Sequence, residues 1–162
     1  MSSICLIDTS ILTNLLNVPN RNQHKKMVSR AYKEYVELGC TFILPMASII
    51  ETGNHIAQNG DGRMRREVAQ RFVIAVKAAF DGTAPWKPSE FPSSKEISVW
   101  LDAFPALAGR NKSVDKLNEG TSFGDLSIIK EFEKCCTRFA MSEVFVWSLD
   151  SDLQQLHVRG KA

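Results

Sequence analysis

The sequence predicts an α/β fold with three layers, α/β/α, around a central parallel sheet. Three apolar runs are typical of buried strands, at residues 3–7, 40–44 and 143–147. Segments with helical periodicity separate these runs, and parallel strands require such crossover connections. The chain has 162 residues, of which 44% are hydrophobic and 23% charged. This length and balance fit one soluble domain, spanning residues 1–162, that buries a core of ordinary size.

The first strand and two helices occupy residues 3–38. The strand at 3–7 stops at Asp8, and apolar residues at helical spacing follow it. A longer helix is predicted over 22–38, because its apolar positions repeat at the spacing of one helix face. Gly39 supplies the stop of that helix.

A second strand and two more helices are predicted next. The apolar run 40–44 is followed by Pro45, which suits the first turn of a helix over 46–58. An amphipathic helix is predicted over 61–80, because its apolar residues share one face and its arginines lie elsewhere.

The segment 81–120 differs in composition from the rest of the chain. It holds four of the six prolines, and only 95–104 has a helical pattern. We interpret it as an excursion from the single domain. Beyond it, the sequence predicts a helix over 123–139, the strand at 143–147 and a short helix over 151–156, with little chain left for a further strand.

Composition excludes several classes of protein. The formal net charge is only +2, so any site for nucleic acid must be local. No apolar stretch approaches the roughly 20 residues that span a bilayer. Asp8 interrupts the first apolar run, so we expect no secretory signal, no membrane partner and a cytoplasmic location. The cysteines, at 5, 40, 135 and 136, lack the spacing of a zinc site and are expected to be reduced thiols.

Four acidic residues are predicted at one edge of the sheet, where ligands of open α/β sheets bind. Asp8 ends the first strand, Asp125 opens a late helix, and Asp150 follows the last strand. Each of these could instead be a helix cap, which is a common role for aspartate. Glu51 lies too far inside its helix to be a cap, and its segment is otherwise free of acidic and basic residues except His55.

Converging carboxylates favour a bound cation. Like charges a few ångströms apart repel each other unless a positive charge lies among them. A site made of oxygen ligands without Cys or His suits Mg²⁺ or Mn²⁺. The chemistry expected of such a site is hydrolysis of a phosphodiester bond, in which metal ions activate water and stabilise the leaving oxygen.

These acids lie in four segments that resemble the PIN-domain ribonucleases, a family that includes the VapC toxins of bacterial toxin-antitoxin pairs. The segments are 4–12 (ICLIDTSIL), 48–51 (SIIE), 123–129 (FGDLSII) and 146–153 (VWSLDSDL). Their order spans nearly the whole chain. The resemblance implies a PIN-like fold, an acidic pocket that holds Mg²⁺ or Mn²⁺, and endonucleolytic cleavage of RNA that leaves a 5′-phosphate on one product.

The resemblance also implies roles for individual residues. Asp8, Asp125 and Asp150 would be direct or water-mediated metal ligands. Glu51 would hold a second metal or orient the attacking water. Ser10 would support Asp8.

The last motif leaves one choice open. The family pattern, Thr or Ser, then any residue, then Asp, is matched by Ser148 and Asp150, with Asp152 as the reserve ligand. The excursion 81–120 departs from the small members of the family and leaves the substrate path and dimer geometry open. A protein antitoxin and a second copy of the chain are further candidate partners.

Basic residues near the acids are candidates for RNA contact. Arg63, Arg65 and Arg66 begin the helix that follows the Glu51 segment, and nucleases hold their polyanionic substrate with such groups. Solvated helix faces are the alternative interpretation. His55 is predicted on the same helix face as Glu51, where it would contact substrate or a bridging water, or serve a structural role.

The sequence therefore predicts a metal-dependent endoribonuclease, with the toxin of a toxin-antitoxin pair as its more specific form. One alternative is a catalytically silent PIN-like module that binds RNA or protein, against which the retained acids argue. The other is a DNA nuclease of the flap-endonuclease type, although no helical arch is evident in the sequence.

Overall fold

A computed structural model describes residues 2–161, which contain one five-stranded sheet. The strand order is β3-β2-β1-β4-β5, and every pairing is parallel except that of β4 with β5. The strands are β1 (Ser3–Ile7), β2 (Thr41–Leu44), β3 (Trp86–Pro88), β4 (Glu143–Trp147) and β5 (His157–Val158). The predicted α/β class and the bounds of the first and fourth strands are confirmed.

Helices cover both faces of the sheet. They are α1 (Thr9–Leu15), α2 (Lys25–Glu37), α3 (Met46–Ala57), α4 (Gly62–Phe80), α5 (Ser94–Gly109), α6 (Phe123–Arg138) and α7 (Ser151–Gln154). Side chains alternate across a strand, so Cys5 and Ile7 join a core cluster with α1 to α4. Ile4 and Leu6 join a second cluster with α6 and α7.

Part of the excursion 81–120 belongs to the sheet, which was not expected from the sequence. Trp86–Pro88 adds a parallel edge strand beside β2, and an edge position tolerates the missing N–H of proline. Helix α5 is also longer than the predicted 95–104. It begins at Ser94 and continues through Pro105 to Gly109. The strand Trp86–Pro88 was not predicted because three residues are too few to produce a periodic signal.

The end of the chain also differs from the prediction. The last helix ends at Gln154, rather than at 156, and His157–Val158 then pairs antiparallel with β4. The pairing adds a fifth strand where the sequence analysis expected little room for one.

The register of the central strands places the candidate site. Ile7 lies opposite Trp147, and the backbone N–H of Asp8 donates to the carbonyl of Trp147 over 3.0 Å. Residues that follow β1 and β4 are therefore neighbours. Within residues 2–161 no helix combines the length and apolar character of a membrane span, and the four cysteines form no disulfide.

Candidate active site

Asp8 is a buried carboxylate held by neutral donors. It caps the N-terminus of α1 and has only 5% of its surface exposed. Its Oδ2 atom accepts hydrogen bonds from the hydroxyls of Ser10, at 2.8 Å, and Ser148, at 2.7 Å, and from the Ser10 backbone N–H at 3.4 Å. Because β1 and β4 are adjacent, two residues 138 positions apart fix this side chain jointly.

Glu51 lies beside Asp8 because α3 packs on α1. The hydroxyl of Thr9, the residue after Asp8, donates to Glu51 Oε2 over 2.8 Å. The other oxygen, Oε1, lies against Gly124 in α6, where a Cβ atom would overlap it. A glycine at position 124 is therefore needed for this placement of Glu51.

Three further carboxylates surround a lysine that the sequence analysis did not identify. The ammonium of Lys112 lies 2.5 Å from Asp125 Oδ2, 3.3 Å from Asp150 Oδ2 and 3.6 Å from Asp152 Oδ2. Its side chain is only 6% exposed. Lys116 adds a second ammonium, 2.8 Å from Asp150 Oδ1 and 3.0 Å from Asp152 Oδ2.

The site thus has two parts, which we name by their partners. The hydroxyl half comprises Asp8 and Glu51 with their serine and threonine donors. The lysine half comprises Asp125, Asp150 and Asp152 with Lys112 and Lys116.

One cavity of about 300 Å³ connects the two halves. The four acids singled out in the sequence all line it, with Ser10 and His55, the latter 3.3 Å from the side chain of Gln58. The predicted roles of these residues remain predictions, but their convergence is a property of the fold.

The arginine at the cavity is not one of those named from the sequence. Arg21 and His24 line it, whereas Arg63, Arg65 and Arg66 do not. Arg63 pairs with Glu67 at 3.4 Å, and the Arg65 guanidinium donates to the carbonyl of Asn59. Arg21 begins the segment 21–33, which contains five Lys and Arg residues and no acidic residue. Only the fold reveals that Arg21 is the one of these five that lines the cavity.

No pattern in the sequence identified Lys112 and Lys116 as part of the site. Both lie in the excursion 81–120, which has no periodic pattern to place its residues. Lys112 and Asp125 are 13 positions apart, and Lys112 and Asp150 are 38 apart. Contacts at such separations depend on the path of a loop, which local patterns do not specify.

Electrostatics differ between the halves. In the hydroxyl half, burial raises the pKa of Asp8, although hydrogen bonds from Ser148 and Ser10 oppose the shift. Burial likewise raises the pKa of Glu51 against the bond from Thr9, and the charges of Asp125 and Asp8 raise it further. Neither residue forms a salt bridge within residues 2–161.

In the lysine half, ion pairs rather than burial set the direction of the pKa shifts. Burial alone would raise the pKa of Asp150, but the bonds from Lys116 and the Asp152 backbone, with the charge of Lys112, lower it to about 2. Burial would lower the pKa of Lys112, yet contact with Asp125 and Asp150 raises it above its ordinary value. The ion pairs prevail over desolvation here.

The donor set fits a hard divalent cation. Carboxylate and hydroxyl oxygens are the ligands that Mg²⁺ and Mn²⁺ favour. In the lysine half, however, the ammonium groups of Lys112 and Lys116 already supply positive charge. As folded here, no group of three or more His, Cys, Asp or Glu side chains within residues 2–161 is arranged around a shared metal position. The ammonium of Lys112 lies between the carboxylates instead. The lysines relieve repulsion that the sequence analysis assigned to a bound metal ion.

Comparisons with known proteins add no family assignment. No family model, curated protein or solved structure matches the chain at a significant level.

Proposed function

We propose that this chain is a divalent-metal-dependent endoribonuclease that hydrolyses phosphodiester bonds. The observation that carries the proposal is the convergence of Asp8, Glu51, Asp125 and Asp150 on one cavity at the carboxyl edge of the sheet. They come from four separate segments of the chain. The resemblance of these segments to PIN-domain ribonucleases supports RNA as the substrate.

The two halves would hold the metal ion jointly. Asp8 would hold Mg²⁺ or Mn²⁺ together with Asp125 and Asp150, and Asp152 is the reserve for Asp150. When bound, the ion would lower the pKa of a water molecule and stabilise the leaving oxygen.

The protein's own hydrogen bonds would orient these groups. Ser10 and Ser148 both donate to Oδ2 of Asp8 and thereby hold the orientation of its carboxylate. Thr9 fixes Glu51, whose raised pKa suits a group that accepts a proton from water near neutral pH.

The direct test is cleavage of a single-stranded RNA in the presence of Mn²⁺. We expect the unmodified protein to cut it, and Asp8→Asn and Asp125→Asn each to reduce the rate at least about 100-fold without unfolding. Asp102→Asn, at an exposed position on α5, is the matched control and should cut normally. Undiminished cleavage in both active-site variants would reject the proposal. Single-stranded and flap DNA serve as parallel substrates, and preferred cleavage of either would favour the flap-endonuclease alternative.

A second candidate is favoured by the lysines themselves. Lys112 and Lys116 neutralise the acidic cluster without any metal. A catalytically silent module that binds RNA or protein would need no more than this. RNA binding that persists in EDTA, together with no cleavage in Mn²⁺, would support the silent module over the nuclease.

The toxin role is the more specific form of the proposal. A toxin would arrest growth when expressed alone, and a protein antitoxin would relieve the arrest. Growth inhibition that disappears in Asp8→Asn would connect the effect to the cavity. Growth unaffected by the unmodified protein would favour a nuclease with another cellular role.

A further inference from the structure

The two lysines belong to one segment, residues 110–120, which joins α5 to α6. We call this segment the strap. Its backbone closes on itself through a bond from the Lys112 N–H to the Glu119 carbonyl and a bridge between Ser113 and Lys116. Both lysine side chains extend from this closed loop to carboxylates, which lie in the first turn of α6 and after β4.

The strap is attached to the domain mainly by charge. Its two large apolar residues, Val114 and Leu117, are 90% and 63% exposed, so they contribute little to the core. The contacts of the strap with Asp125, Asp150 and Asp152 are all made by ammonium groups. A segment with few buried apolar contacts opens at low free-energy cost, so these ion pairs decide its position.

The C-terminal end of the strap is attached to α5. Gly120 lies against Ala108, so closely that a Cβ atom would overlap the Ala108 carbonyl oxygen, and the next residue, Thr121, donates to the carbonyl of Leu107 over 3.3 Å. Withdrawal of the lysines would therefore leave this end of the strap fixed to α5.

The lysines and a divalent ion compete for the same oxygens. Asp125 and Asp150, two of the three metal ligands in the proposed function, are those that Lys112 contacts. Two cations at one position repel each other. Since only the open strap leaves the carboxylates free, the apparent metal affinity falls by the fraction of open molecules.

We propose that the strap is an autoinhibitory element that holds the site closed with Lys112 and Lys116 and withdraws when a divalent cation binds. The inference rests on the proposed function, because it names the regulation of the same site. The nuclease would then be active only where the cation concentration, or a partner that binds the strap, favours the open form.

The test is Mn²⁺ binding measured by titration calorimetry, with no RNA present. Removal of the competing ammonium in Lys112→Met should tighten Mn²⁺ binding at least about tenfold. Lys116→Met, which leaves Lys112 in place, should tighten it less and serves as the second variant if Lys112→Met folds poorly. Arg110→Met is the matched control, because it removes one positive charge from the exposed start of the same strap, where Arg110 has no salt bridge to these carboxylates.

Movement of the strap is measured separately by hydrogen exchange. Addition of Mn²⁺ to the unmodified protein should speed exchange of the amides at 112–119 while β1 and β4 stay protected.

The outcomes separate the two proposals. Equal Mn²⁺ affinity in Lys112→Met and the unmodified protein, or equal tightening in Arg110→Met, would overturn the strap and leave the nuclease standing. Mn²⁺ binding that leaves exchange at 112–119 unchanged would do the same. No Mn²⁺ binding even in the double variant Lys112→Met/Lys116→Met would instead overturn the metal site and, with it, the nuclease.

Discussion

The hydroxyl half and the lysine half both contain carboxylates, but these are stabilised differently. Asp8 is buried and Glu51 half-buried among hydroxyl donors that hold no net charge, and their pKa values rise. Asp150 contacts two ammonium groups, and its pKa falls to about 2. Carboxylates of both halves line one cavity, so the difference between them arises from their hydrogen-bond and ion-pair partners.

In the hydroxyl half the carboxylates are held in position, whereas in the lysine half their charge is also neutralised. Hydroxyls from α1 and the residues after β4 orient the first half, but they do not neutralise its charge. The lysines of the strap neutralise the second half, but they do so from a loop with little apolar anchoring. One half is built into the core, and the other depends on a movable segment.

Gly124→Ala should have the largest effect on the hydroxyl half. Its Cβ would overlap Glu51 Oε1, and a side-chain carboxylate can rotate away, so the protein should fold normally. The displaced Glu51 should cost about 100-fold in RNA cleavage, since a misplacement of about 1 Å can cost that much. Gly109→Ala, which meets no atom within 4 Å, is the control. Full activity in Gly124→Ala would show that the position of Glu51 does not matter.

Lys112→Met should have the largest effect on stability in the lysine half. Without metal it leaves carboxylates without their main partner, and we expect a loss of about 2 kcal/mol, or about 4–8 °C in Tm. Mn²⁺ should restore the loss, because the ion replaces the ammonium. The measurement is thermal unfolding in EDTA and in Mn²⁺, and Lys87→Met, at an exposed position on β3, is the control.

The same variant has a defined pH dependence. The low pKa of Asp150 contributes stability that is present above its ordinary value and lost as the pH falls through about 2. The raised pKa of Lys112 contributes stability that is present below its ordinary value and lost only at higher pH. The difference between wild type and Lys112→Met should therefore be flat from about pH 4 to 10 and shrink in stronger acid. A difference that grows in acid would contradict the ion-pair explanation.

Asp8→Asn should stabilise the protein while it abolishes cleavage. Because the folded-state pKa of Asp8 is raised, the native state binds more protons than the unfolded state, and wild-type stability falls as the pH rises through that window. Asparagine carries no such cost, so we expect Tm to rise by about 2–4 °C at pH 8. The gain should vanish near pH 4. Unfolding followed by circular dichroism at both pH values measures it, and a loss of stability at pH 8 would be the opposite result.

Arg21→Ala should have the smallest effect, on RNA binding. Arg21 lines the cavity, whereas Arg66 is exposed elsewhere, so the first variant should weaken binding several-fold and reduce the salt slope by about 1. Arg66→Ala should be near neutral. Fluorescence anisotropy at two salt concentrations compares the variants, and a stronger effect in Arg66→Ala would restore the helix named from the sequence as the RNA-binding face.

The fold was predictable where residue patterns are long. The strands at 3–7 and 143–147 were found with their correct bounds, because continuous apolar runs identify strands that are buried on both faces. The edge strands β3 and β5 were missed, since three and two residues give no pattern and their pairing comes from neighbouring strands.

The sequence by itself determined the order of the helices and of the three central strands and, through it, the edge at which Asp8, Glu51, Asp125 and Asp150 meet. The physical reason is that apolar periodicity encodes burial, and the carboxyl ends of parallel strands share one edge. Only the tertiary structure decided which groups accompany these acids. Lys112 reaches Asp150 across 38 positions, and the free energy of that contact depends on how a loop without periodic signal folds over the sheet.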